Sequence, residues 1–131
     1  VQGNIIRNLL PKRPIGTAPD DDAGIGVYVE ADTSVTGNVI ENAPSFGIMA
    51  GWGKYLRDVA ITGNVIRKAF IGIGVSVADG AGTALVGNNV ISDTPRGAVV
   101  GLDHAKPMTP DLAADGAAKY AQVALGANVA R

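Results

Sequence analysis

The chain has no cysteine and few aromatics, which make up 5% of its 131 residues with a single tryptophan. The lack of cysteine excludes disulfides, thiolate zinc sites and a cysteine nucleophile, while leaving the compartment open. Neither sign of charge prevails: 11 basic residues face 12 acidic ones, for a net −1, and no basic block is present. That balance argues against a dedicated nucleic-acid-binding module. No run approaches the ~18 apolar residues that a membrane span requires. What the chain does have is apolar residues, at 47%, and 18 glycines, about twice the usual ~7%. Such a chain is too apolar for disorder, and its length suits one domain. Glycine-rich, aromatic-poor and apolar together describe many short strands joined by tight turns.

One hexapeptide recurs along the chain: V-Q-G-N-I-I at 1–6, V-T-G-N-V-I at 35–40, I-T-G-N-V-I at 61–66, V-G-N-N-V-I at 86–91 and L-G-A-N-V-A at 125–130. It aligns Asn4, Asn38, Asn64, Asn89 and Asn128 at separations of 34, 26, 25 and 39 residues. A second element lies between its copies and opens on Gly24, Gly47, Gly72 and Gly97, which are 23, 25 and 25 residues apart. Two phases with one period make an internal repeat. No unit offers the ten or more residues of 3.6 periodicity that a helical repeat needs. Runs of Val, Ile and Thr bounded by Gly, Asn and Pro are strand-and-turn chemistry. The reading is an all-β fold, a parallel β-helix of four to five coils of about 25 residues, with three short strands per coil and an αL bend at the Gly-Asn pair.

The pattern V-x-G-N-x-I, followed about eight residues later by G-I or G-A, resembles the right-handed parallel β-helix repeats of the pectin-lyase-like family. The resemblance extends over nearly the whole chain. It implies that Asn4, Asn38, Asn64, Asn89 and Asn128 stack as a structural asparagine ladder. More narrowly, the chain resembles uncharacterised bacterial repeat proteins exported by the twin-arginine route, which implies a periplasmic or secreted location. The resemblance also implies that insertions flank a first sheet where sugar chains bind. Two insertions stand out, at about 7–23 and 103–122.

Strand alternation assigns an inner face to Ile25, Val27 and Val29, to Ile48, Ala50 and Trp52, to Ile73, Val75 and Val77, and to Ala98, Val100 and Leu102. The outer face then carries columns headed by Gly26, Tyr28 and Glu30, most of whose members are glycine or small. Glu30 and Asp103 share a column three coils apart, about 14 Å, too far for paired-carboxylate sugar chemistry. The segment therefore shows no catalytic constellation, with Asp103 and the lone His104 as the nearest candidates. Tyr28, Glu30, Asp103 and Lys106 are the candidate sugar-binding side chains. Asp20, Asp21 and Asp22 are a candidate Ca²⁺ cluster, because that ion takes six to eight hard oxygen ligands. The column Arg7, Glu41, Arg67, Ser92, Arg131 reads as a solvated ladder of cross-strand charge pairs.

The whole of 1–131 reads as one β-helix segment with no room for a cap at either end, a piece of a longer solenoid. Two functional readings follow. One is a non-catalytic segment of an exported protein that contributes to polysaccharide binding or modification, its partners being polysaccharide and the remaining coils. The other is a structural module that self-associates as a homo-oligomer through a flat, glycine-rich sheet face.

Overall fold

A computed structural model describes residues 1–10, 24–114 and 120–131. Within them the chain is all-β, and no helix occurs among the described residues. The strands are β1 (Ile5–Arg7), β2 (Ile25–Val29), β3 (Ala31–Thr36), β4 (Val39–Ala50), β5 (Arg57–Thr62), β6 (Val65–Ser76), β7 (Ala84–Gly87), β8 (Val90–Ser92), β9 (Gly97–Asp103), β10 (Lys106–Asp111), β11 (Val123–Leu125) and β12 (Val129–Ala130).

Pairing joins strands that are far apart in the chain, and it is parallel everywhere except between β9 and β10. Three ladders result. The first runs β1-β4-β6-β8-β12, the second β3-β5-β7-β11, and the third β2-β4-β6-β9-β10. The two long strands β4 and β6 serve two ladders because each bends in its middle. Asn42 and Lys68 sit at those bends with φ of 59° and 60°, and Asn8 and Asp93 hold the same conformation in their repeats. Asn and Asp, at three of these four positions, accept this left-handed region more readily than other side chains.

The repeated apolar residues meet in one core. Ile40, Ile66 and Ile91 enter it from the first ladder, Val35, Ile61 and Val86 from the second, and Ile48, Ile73 and Val99 from the third. The hexapeptide asparagines form an unbroken chain beside this core. Asn4 donates its backbone N–H and side-chain amide to Asn38 Oδ1, both at 3.0 Å. Asn38 does the same to Asn64, Asn64 to Asn89 and Asn89 to Asn128. The spare amide hydrogens go to carbonyls such as Val35 O and Ile61 O. Asn38, Asn64 and Asn89 are buried, and no buried side-chain polar atom lacks a partner among the described residues. A positive φ falls on the residue before four of the five amides, at Gly3, Gly37 and Gly63 and then at Asn88.

The register of the third ladder corrects the sequence alignment. Val27 stands beside Ile48, Ile48 beside Ile73, and Ile73 beside Val99. The glycine column is therefore Gly26, Gly47 and Gly72, closed by Ala98, and neither Gly24 nor Gly97 belongs to it. Glycines two residues apart in G-I-G-V allow a slip of two that leaves the alternation intact. The slip of one in the last repeat turns it over, so Val99 faces the core while Val100 and Leu102 face out. At the corner of β4, a Cβ on Gly47 would lie 2.6 Å from both Gly72 O and Ile66 Cγ2, so the backbone approach requires glycine.

The outer surface of this ladder is not a flat glycine strip. Phe46, Met49, Ile71, Val100 and Leu102 form a second buried cluster there. Leu102 and Phe46 cover Gly74, with their Cδ1 atoms 2.6 and 3.0 Å from where its Cβ would be.

The insertion after β9 carries a strand of its own. Residues 106–111 return antiparallel along β9 and cover the edge of the third ladder. Their register breaks between Pro107 and Asp111, and side chains take over there. Asp111 accepts from the N–H groups of Ala98 (2.9 Å) and Val99 (3.1 Å), and Thr109 Oγ1 accepts from Gly101 N–H at 2.9 Å. Leu112 then enters the main core.

The outer face of the first ladder carries two parallel rows. Ile5, Val39, Val65, Val90 and Val129 stand in register and are all exposed. Two residues further along each strand come Arg7, Glu41, Arg67 and Ser92, also in register, with Arg131 following β12.

Candidate functional site

Two tight turns of similar build meet at the end of the third ladder. The first is W-G-K-Y at 52–55, in which Trp52 and Tyr55 exchange both backbone hydrogen bonds, at 3.1 and 3.0 Å. Glycine at the first central position, with φ of 58° at Gly53, is what a two-residue hairpin of this kind demands. Ser76 Oγ donates to Gly53 O and ties the turn to β6. The second turn is D-H-A-K at 103–106, where Asp103 pairs with Lys106 across His104 and Ala105.

His104 joins the two turns. Its ring meets Trp52 edge-on, with centroids 5.0 Å apart and planes at 87°. The imidazole also lies over Gly53, where a Cβ would come within 2.8 Å of Cε1 and Nε2. Asp103 Oδ1 and His104 Nδ1 are 2.8 Å apart, which fixes the ring from the other side. Both side chains remain about half exposed. His104 itself has φ of 55°, a conformation uncommon for a residue other than glycine.

The other arm of the first turn faces a cleft of about 410 Å³ lined by Glu30, Lys54, Tyr55, Arg57 and Gly80. Lys54 Nζ lies 5.4 Å from the centre of the Tyr55 ring, in cation–π range. Arg57 is anchored by an ion pair with Asp32, whose carboxyl the guanidinium hydrogen bond holds below its usual range. Glu30 accepts a hydrogen bond from Tyr28 Oη. Partial burial, then that hydrogen bond and the Glu30 charge, push the Tyr28 phenol above its ordinary range, so it stays a donor.

Of the side chains expected from the sequence, Asp103, His104 and Lys106 are thus brought together in one turn, and Tyr28 and Glu30 at the end of β2. Asp103 and Glu30 do not share a column. The row through Glu30 ends on Leu102, since Val29, Ala50, Val75 and Gly101 align one position before it. Three strand spacings still separate the two carboxylates, about 14 Å, beyond either geometry of two-carboxylate glycoside hydrolysis. Asp20, Asp21 and Asp22 lie outside the described residues. Among the described residues no three His, Asp or Glu side chains gather as a metal site.

Trp52 corrects its assignment to the inner face. β4 ends at Ala50, and Gly51, at φ of 89°, turns the chain out of the strand, so alternation no longer governs the next residue. Tyr55, Lys54 and Arg57 escape a reading built on strand alternation. The signal that finds Lys54 and Tyr55 is G-W-G-K-Y itself, a glycine-lysine turn between two aromatics, with Arg57 two residues beyond it. Searches of protein-family models, curated proteins and solved structures find nothing that matches this chain.

Proposed function

We propose that the chain is a length of right-handed parallel β-helix, pectin-lyase-like in design, that binds polysaccharide for an exported protein of the periplasm or cell exterior. The helical reading draws support from parallel registers that recur at 25 or 26 residues through the middle of the chain, and from the asparagine row. The observation that carries the functional reading is the aromatic pair on one hairpin: Trp52 is 40% and Tyr55 59% exposed. Exposed aromatics held on a rigid turn suit the apolar faces of sugar rings, while their polar edges stay wet. Glu30 and Arg57 beside Tyr55, with Asp103 and His104 beside Trp52, supply charged partners for hydroxyl groups. Lys106 closes the second turn. With its carboxylates far apart, the segment holds a glycan rather than cleaving it.

Trp52 is the only tryptophan, so its fluorescence reports the site without a label. Titration with a panel of neutral and acidic oligosaccharides should shift its emission for at least one class. Tyr55→Ala should weaken that binding about tenfold, as the loss of one stacking contact implies, and leave the circular dichroism spectrum unchanged. If no oligosaccharide shifts the emission, the reading is wrong.

A further inference from the structure

Five β-branched side chains in register, all exposed, are unusual on a surface that alternates apolar-in and polar-out. The row beside them carries the signs plus, minus, plus, neutral, plus along Arg7, Glu41, Arg67, Ser92 and Arg131. Glu41 and Arg67 already form an ion pair at 2.8 Å, and its guanidinium hydrogen bond holds the Glu41 carboxyl below its usual range. Among the described residues Arg7 and Arg131 have no ion-pair partner.

We propose that this face is the contact between two copies of the chain, packed sheet on sheet about a two-fold axis that runs parallel to the strands. Such an axis keeps the strand direction and reverses the order of the ladder, so the apolar row meets the apolar row and the charged row meets the charged row. Charge limits where the axis falls. Centred on Arg67, it would set Arg67 against its own copy and Arg7 against Arg131. Centred on Glu41, it would oppose two glutamates and set Arg7 against Arg67. Midway between Glu41 and Arg67, each Glu41 faces the other copy's Arg67, and each Arg7 faces a Ser92. No like charges then oppose, and the two existing ion pairs close into a ring of four alternating charges. In the apolar row this register packs Ile5 on Val90 and Val39 on Val65. The isologous contact is self-complementary, as a two-fold requires. It spans only four strands, which places it among small, reversible interfaces. It uses neither turn of the candidate sugar site, so either assignment stands or falls without the other.

The test is sedimentation of the full chain from micromolar to millimolar concentration, with thermal melts as a folding control. The native chain should dimerise at the upper end and dissociate as salt is raised. Glu41→Arg should raise the dissociation constant about tenfold or more, because it sets arginines against arginines. Adding Arg67→Glu to that variant restores alternation in the ring and should return the constant to within about threefold of native. A native chain that stays monomeric at millimolar concentration overturns the proposal. So does a dimer indifferent to Glu41→Arg, or one that the paired exchange fails to rescue. A monomer held instead by dextran sulfate through Arg7 and Arg131 would give the face to a polyanion, and the dimer would be overturned in that case too.

Discussion

The asparagine row and the covered edge of β9 meet the same need by opposite means. Both supply acceptors to backbone N–H groups at places where a regular ladder cannot. In the row, each Oδ1 takes the preceding asparagine's N–H and side-chain amide, and each Nδ2 passes a hydrogen bond to the following one. At β9, the Asp111 carboxylate takes the N–H groups of Ala98 and Val99 and that of Ala113. An amide both donates and accepts, so it can be repeated along a stack. An ionised carboxylate only accepts, so it closes a series. The difference between propagating and terminating a sheet is, at these positions, the difference between Asn and Asp.

Breaking the propagating arrangement should have the largest effect. Asn64→Leu leaves the Asn38 N–H and one of its amide hydrogens without an acceptor and Val35 O without that donor. Buried unsatisfied groups cost about 1–3 kcal/mol each, so urea denaturation should show a loss on the order of 3 kcal/mol or outright unfolding. Less than about 1 kcal/mol would mean that the row is not structural.

Breaking the terminating arrangement should matter less, because the edge is partly wet. Asp111→Ala should lower stability by roughly 2 kcal/mol and speed hydrogen exchange at Ala98 and Val99. Asp111→Asn keeps one acceptor oxygen and should fall between the two. Equal exchange in all three proteins would show that β10 holds the edge without Asp111.

The smallest effect concerns the other recurring bend. There Asn8, Asn42 and Asp93 tolerate positive φ while Lys68 sits at 60° with a side chain poorly suited to it. Asn42 also donates to Asn8 Oδ1 at 2.7 Å. Lys68→Asn should raise stability by about 0.5 kcal/mol, seen as a higher melting temperature. A fall would show that this bend is set by its packing and not by its dihedral preference.

What is legible in the sequence follows the same division. The asparagines announce themselves because each rung needs the same donor and acceptor, so the same letter stands at each repeat. The glycine column is harder, since Gly24 and Gly26, or Gly72 and Gly74, offer two registers to a pattern search. Only the contact of Gly47 with Ile66 and the Gly72 carbonyl separates them. β10 is the least legible, because Pro107 and Pro110 argue against a strand and Thr109 and Asp111 act once each. The candidate site shows the same division: Asp103 and His104 stand out as the only histidine neighbourhood, while Trp52 is hidden by an alternation that has already ended at Gly51.

Two of the six residues of β10 are prolines, which have no N–H to offer a neighbour. A strand so composed is a poor template for any further chain, so the rim it forms resists edge-to-edge aggregation. The insertion after β9 therefore also protects solubility at this edge of the third ladder.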